Sequence, residues 1–343
     1  MDFQLSDDQR ALRSGMRDLL GAVFDRDRMR AAVEPGGGVD RGLWRELGAA
    51  GFFALRLPEE AGGVGLGLPE AVLLFEEAGR ALLPGPLVAT HLAAGRVKGA
   101  AEGGTVVTAL DGALPVAHLA EADAVLVLED GAHAGAWDGA VDGVLSGEAL
   151  RAFVAAARPV RSMDPLTPLH RTPTAERTPA HAERFRYEGA LLTAAEQLGS
   201  AARTTETAVQ HAGDREQFGS PIGSFQAVKH LCADMLARTE PARAAVYAAA
   251  VTADPVEIAA AKLLADEAAV RNARDCLQIH GGMGFTWEAD VHLHLKRAWL
   301  RSASWLTGAG AEELLAADLG AARPRSGSSA AYGRGVPEAG GGG

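Results

Sequence analysis

Apolar positions recur along the first hundred residues at the spacing of single helical faces. Ala11, Leu12, Met16, Leu19, Leu20 and Val23 follow a capping box at Ser6-Asp7-Asp8-Gln9, whose serine and glutamine satisfy each other's exposed amides. A second helix is expected over Leu43 to Ala50, stopped by Gly51. A third is expected from Pro69 to Leu82, with proline in its first turn and Pro84 beyond its end. Between 101 and 187 the pattern shortens. Val106–Leu110 runs into Asp111-Gly112, and Val125–Leu128 is followed by Asp130-Gly131, which are strand and turn signals. Prolines 159, 165, 168, 173 and 179 predict a loop at the end of this module.

Helical spacing returns near residue 188, with Ala190, Leu191, Ala194, Ala195, Leu198, Ala202 and Val209 on one face. Ser224 is placed to cap a helix carrying Val228, Leu231, Met235 and Leu236. Asp254-Pro255-Val256-Glu257 starts another, which Gly281-Gly282 ends. The Gly/Ser/Ala-rich stretch from Arg323 is expected to be disordered. The fold class is therefore mainly α with a small β insert. It divides into an N-terminal helical domain (1–100), a reduced middle β domain (101–187), a C-terminal four-helix bundle (188–322) and a tail (323–343).

Composition narrows the function. A net charge of −11 argues against nucleic acid, which needs a clustered basic surface. No apolar run reaches the roughly 18 residues of a membrane span, and the polar start MDFQLSDDQR is no secretory signal. Cys232 and Cys276 cannot build a disulfide framework or a thiolate metal site, and the chain reads as cytoplasmic. His280, His292 and His294 lack a companion acid or thiol at ligand spacing, so no metal is expected. Gly62-Gly63-Val64-Gly65-Leu66-Gly67 follows Pro58-Glu59-Glu60 rather than a buried strand, so it reads as a loop and not a dinucleotide motif. The adjacent Asp266 and Glu267 do not converge and read as a solvated face.

Two segments mix glycine, aromatic and polar residues within helical surroundings: Asp214-Arg215-Glu216-Gln217-Phe218-Gly219-Ser220-Pro221-Ile222-Gly223-Ser224-Phe225-Gln226, and Gln278-Ile279-His280-Gly281-Gly282-Met283-Gly284-Phe285-Thr286-Trp287-Glu288. A diphosphate needs a cation and close backbone approach, which Arg215 and Gly281-Gly282 offer; the glutamines suit ribose and adenine. Ordinary turn packing and a helix stop are the competing account of the same residues. Both segments resemble the signature motifs of the acyl-CoA dehydrogenase family. The likeness extends to Pro58–Gly63 and Glu76-Glu77-Ala78, and spans about four-fifths of the chain.

The resemblance implies a flavin adenine dinucleotide (FAD) cofactor. Arg215, Gln217, Phe218 and Gln226 would serve it from one protomer, and Gln278, His280, Gly281 and Gly282 would complete the site from a neighbour. It also implies α,β-dehydrogenation of an acyl-CoA, with a carboxylate taking the α-proton and an electron-transfer flavoprotein as acceptor. The family's usual glutamate position falls on Trp305, followed by Thr307 and Gly308, which resemble cofactor-contacting residues. The alternative position falls on Gly189, leaving its neighbour Glu188 as the candidate base, with a solvated helix-start carboxylate as the bland account. Glu196 reads as structural, and Glu312 and Glu313 lie two turns too far along. The family's usual flavin-contacting loop of the middle domain is not found. These departures resemble the second, base-lacking partner of actinobacterial heterotetrameric dehydrogenases of steroid side chains. A self-sufficient homo-oligomer using Glu188, a flavin oxidase or monooxygenase of the same fold, and a non-catalytic scaffold subunit stand as alternatives. The acyl group, and coenzyme A versus carrier-protein thioester, are left open.

Overall fold

The structure, a computed structural model, describes residues 4–34, 38–111, 114–128, 143–172 and 183–322. Gly112, Asp130-Gly131, Pro173, Pro179 and the tail from Arg323 lie outside the described residues.

Helix α1 (Asp7–Val23) begins at the expected capping box, with Ser6 accepting from the Gln9 amide. Helix α2 (Arg26–Val33) was not anticipated. It is short and polar and buries only Met29, so periodicity could not reveal it, although Asp25 caps it. Helix α3 (Arg41–Ala49) and helix α4 (Leu68–Arg80) match the second and third expected helices, and the glycine-rich stretch before α4 is a loop. Helix α5 (Leu87–Ala93) is buried throughout.

The middle segment forms two three-stranded sheets. Strands β1 (Val107–Leu110) and β3 (Ala124–Val127) pair in parallel, and β4 (Val144–Ser146) pairs antiparallel with β3. The second sheet has the order β2 (Val116–Ala117), β6 (Leu169–Arg171), β5 (Arg158–Val160). Pro159, expected in a loop, sits in β5, an edge strand where a missing amide donor is tolerated. Helix α6 (Gly147–Ala156) interrupts the strands; its buried pair Leu150 and Phe153 is too brief a helical pattern to stand out from strand spacing.

Helix α7 (Glu183–Asp214) spans the molecule and packs against α4, helix α8 (Gln226–Thr252) and helix α9 (Pro255–His280). Helix α10 (Val291–Arg301) and helix α11 (Gly308–Ala322) lie on α9. Asp254 caps α9 as expected, accepting from the Val256 and Glu257 amides. Ser224 makes no capping bond, because the chain turns once more and Phe225 becomes the first cap residue of α8. Val209 and Leu236, assigned to buried faces, are 53% exposed each. Asp266, assigned to a solvated face, is buried because Lys262 and Gln197 bond its two oxygens in the α7–α9 interface.

One apolar core joins the parts, from Met16 and Trp44 through Val107 and Leu126 to Leu198, Val246 and Leu293. Arg297 fastens them electrostatically. It bonds Asp164 of the middle segment at 2.5 Å and the carbonyls of Leu82 and Leu83 at 3.3 and 3.0 Å.

Candidate functional site

The predicted residues fall at two ends of the C-terminal helices. At one end, strands β7 (Glu216–Gln217) and β8 (Ser220–Pro221) form a tight hairpin directly after α7. Its two turn residues, Phe218 and Gly219, have φ of +54° and +75°. Both positive values are what a two-residue turn between twisted strands requires. Glycine adopts them freely, whereas an aromatic residue in the left-handed region costs about 1 kcal/mol or more. The Phe218 ring is nevertheless 94% exposed, so burial does not offset that strain. Phe225, 6.2 Å away edge-on, is also exposed.

Beside the hairpin lies the end of α9. His280 stacks on His211 of α7 at 4.0 Å, and its Nδ1 lies 2.8 Å from the Cys276 carbonyl. A carbonyl only accepts, so Nδ1 holds the proton and Nε2 is left free for a ligand. Burial chiefly, with His280 and Arg215 nearby, lowers the pKa of His211. Gln278, Gly281 and Gly282 are exposed, and a Cβ added at either glycine would meet nothing within 4 Å. Packing in the chain therefore does not account for the glycine pair; it leaves open backbone. Arg215 is exposed and makes no ion pair among the described residues. The Gln217 side chain bonds its neighbour's carbonyl, and Gln226 is the exposed first residue of α8. A free cation, bare amides and exposed aromatic faces fit the adenosine diphosphate part of FAD.

The hairpin and Gln278–Gly282 are thus neighbours within one chain. The packing of α7 on α9 brings them together, which linear separation concealed.

The other end is built around Gly189, in the second turn of α7. Trp305, with φ of +64°, lays its indole on Gly189; a Cβ there would fall 2.2 Å from the ring. The two positions expected to carry a base are therefore in contact, one bare and one filled by an aromatic ring. Glu188 does not sit at a helix start, because α7 begins at Glu183. Its carboxylate accepts from Arg56 at 2.8 Å, with side-chain exposures of 12% and 23%, and it does not line the adjoining cavity. Thr307 accepts from the Gly310 amide at 3.2 Å and so caps α11.

That cavity, of about 180 Å³, lies between α5, the middle sheets, α7 and α10. Glu196, read as structural, is in its wall with Thr193, Arg297, Arg301 and Trp305. Burial pushes the Glu196 carboxyl up against the pull of Arg301, which bonds it at 2.6 Å. Burial likewise lowers Arg301 to about 10. A charged residue spaced among Ala194, Ala195 and Leu198 was the available signal.

Comparison with known proteins decides the ancestry. The family model "Acyl-CoA dehydrogenase, N-terminal domain" matches residues 6–106, and "Acyl-CoA dehydrogenase, C-terminal domain" matches 182–322. The chain belongs to the acyl-CoA dehydrogenase family. This is a family of FAD-dependent oxidoreductases, as the two motifs led us to expect. Acyl-CoA dehydrogenase IpdE2 of Mycobacterium tuberculosis is 37% identical over 297 residues, covering 85% of this chain and 91% of that one. Among solved structures, the ChsE4-ChsE5 complex of M. tuberculosis superposes with a TM-score of 0.77 at 23% identity, covering 94% of this chain and 100% of the matched one. A Tcur3481-Tcur3483 steroid acyl-CoA dehydrogenase variant gives 0.76 at 23%, covering 92% and 99%. Among the described residues no helix is long and apolar enough to cross a membrane.

Proposed function

We propose that this chain is the flavin-cradling, base-lacking subunit of a two-component acyl-CoA dehydrogenase, in which a second family member supplies the proton-abstracting carboxylate. The observation that carries this reading is the contact of Trp305 with Gly189. It leaves no room for a carboxylate at either expected position, while Glu188 is committed to Arg56. Arg215, Gln217, Phe218, Gln226, Gln278, His280, Gly281 and Gly282 would hold the adenosine diphosphate part of FAD. Bound FAD supplies the hydride acceptor. The residues of this chain bind and orient the cofactor and screen its diphosphate charge.

Length supports a shared site. Gly189 and Arg215 stand near opposite ends of α7, about 40 Å apart at 1.5 Å per residue. That exceeds the length of a dinucleotide, so the hairpin end and the Thr307 end of one chain cannot grip the same FAD. Each end needs another chain opposite it. The names of the ChsE4-ChsE5 complex and the Tcur3481-Tcur3483 steroid enzyme support a two-component assembly, which we read as α2β2, and the second name supports steroid-derived acyl-CoA substrates. An electron-transfer flavoprotein would reoxidise the cofactor, in the cytoplasm.

The test is flavin per chain after gel filtration, for this chain alone with excess FAD and for the chain co-expressed with a neighbouring family member. Little flavin alone and about one per pair together supports the reading. Full loading alone would instead mean a self-complete homo-oligomer.

A further inference from the structure

A second cavity, of about 370 Å³, lies between α1, α2, α4, α7 and α10 and shares no lining residue with the one beside Trp305. At ~30 Å³ per water it has room for on the order of twelve waters, or for one six-membered ring with a polar head. Leu20, Phe24, Met29 and Leu82, none more than 6% exposed, form an apolar wall. Much of the remaining lining is charged, with four arginines (Arg17, Arg26, Arg80 and Arg203) against three acids (Asp25, Glu77 and Asp290).

The acids are committed. Arg17 holds both oxygens of Glu77 at 2.6 and 2.8 Å, Arg26 and Arg30 hold Asp290, and Asp25 caps α2 through the Arg28 amide. Arg80 is committed likewise, to both oxygens of Glu206. Arg203 is left over. Its side chain is 51% exposed and approaches Glu206 only at 4.0 Å, too far for a hydrogen bond.

His294, 7% exposed, lines the same cavity, and its Nδ1 lies 2.8 Å from the Ser200 hydroxyl. Its Nε2 has no hydrogen-bond partner among the described residues and is not one of the sealed unpaired atoms, so it opens on the cavity. Burial chiefly, and then the charge of Arg203, lower the His294 pKa to about 3, so the ring is neutral and the guanidinium is near it. A hydroxyl donates as well as accepts, and Ser200 donating to Nδ1 leaves the proton on Nε2. Arg203 and Nε2–H then both offer donors to the cavity, whose lining keeps one positive charge in excess.

We propose that this cavity binds a small carboxylate with an apolar body, its oxygens accepting from Arg203 and His294 and its hydrocarbon resting on Leu20, Phe24, Met29 and Leu82. Any anion could use the guanidinium, whereas only an amphiphile gains from the apolar wall. None of these residues belongs to the flavin hairpin or to the Trp305 cavity, so the inference goes beyond the flavin reading and requires neither cofactor nor partner.

The test is calorimetric titration of the purified full chain, with and without bound flavin, using three probes. Benzoate carries both features, benzyl alcohol keeps the ring without the charge, and inorganic phosphate keeps the charge without the ring. Benzoate should bind saturably, about tenfold or more tighter than either of the others. Benzyl alcohol binding as tightly would mean an apolar hole, phosphate binding as tightly would mean a plain anion site, and no saturable benzoate binding would mean ordered water; each overturns the proposal. Arg203→Gln should weaken benzoate about tenfold and leave benzyl alcohol unchanged. An unchanged benzoate affinity in that variant would remove Arg203 from the site and sink the proposal. Gly21 lines the cavity, and a Cβ there meets nothing within 4 Å, so Gly21→Leu adds bulk without a clash. Folded by circular dichroism, this variant should bind no benzoate; retained affinity would place the probe elsewhere and overturn the proposal. Flavin content measured on the same samples separates these outcomes from failure of the subunit reading.

Discussion

Arg215 and Glu188 show how differently two charged residues of one helix region are used. Arg215 is exposed and free of ion pairs among the described residues, beside open glycine backbone. Charge-assisted hydrogen bonds to a diphosphate are worth about 1.5–3 kcal/mol. Arg215→Ala in the complex should therefore weaken FAD binding by about tenfold to a hundredfold, read by flavin retention on dilution. Unchanged retention would mean that FAD is held elsewhere. Glu188, by contrast, is held by Arg56. Glu188→Gln should lower stability by about 1–2 kcal/mol, discounted for its partial exposure, and leave turnover of the complex within a factor of two. Loss of turnover would restore Glu188 as the base.

At the scale of elements, α4 and α7 cross where both are bare. A Cβ on Gly199 would fall 1.8 Å from the Glu76 carbonyl oxygen, and one on Gly79 would fall 2.0 Å from that of Glu196. Around this crossing the buried carboxylates Glu76 and Glu77 bond Arg243, Tyr247 and Arg17, which ties α1 and α8 to α4. The methyl group in Gly199→Ala must push two backbones apart, at a cost of about 3 kcal/mol. Urea unfolding should show a lower midpoint with an unchanged slope. A midpoint equal to the parent's would mean that the helices are not in contact there. The Glu76-Glu77 pair was legible as part of a family motif; its burial was not, because acids are ordinarily solvated.

For the whole molecule, buried histidines set the response to acid. Burial is the main cause lowering His91 to about 4 and His118 and His294 to about 3, with nearby arginines adding to it. The unfolded chain binds protons at these sites near pH 6.5 while the folded chain does not. Their contribution to stability is thus fully present above pH 6.5 and is lost as pH falls from 6.5 toward 4 and then 3. Each can contribute a slope of about 1.4 kcal/mol per pH unit in that window. Thermal unfolding should therefore show a clear fall in midpoint between pH 7.5 and pH 5. A midpoint constant over that range would mean that these imidazoles are accessible to protons.

Local chemistry along the chain was enough to set the α1 and α9 caps at Ser6 and Asp254, the run of apolar faces and the two glycine–aromatic motifs, because caps and periodicity act within a few residues. Helices α2 and α6 are too short and weakly patterned for periodicity to reveal, and the burial of Asp266 depends on α7, far away in sequence. Residue order likewise placed Trp305 and Gly189 at the two positions expected to carry a base, yet not against each other. Only the tertiary structure laid the indole on Gly189 and gathered the hairpin with the end of α9. Packing decides these juxtapositions, since they depend on which helix faces meet and not on what either segment is alone.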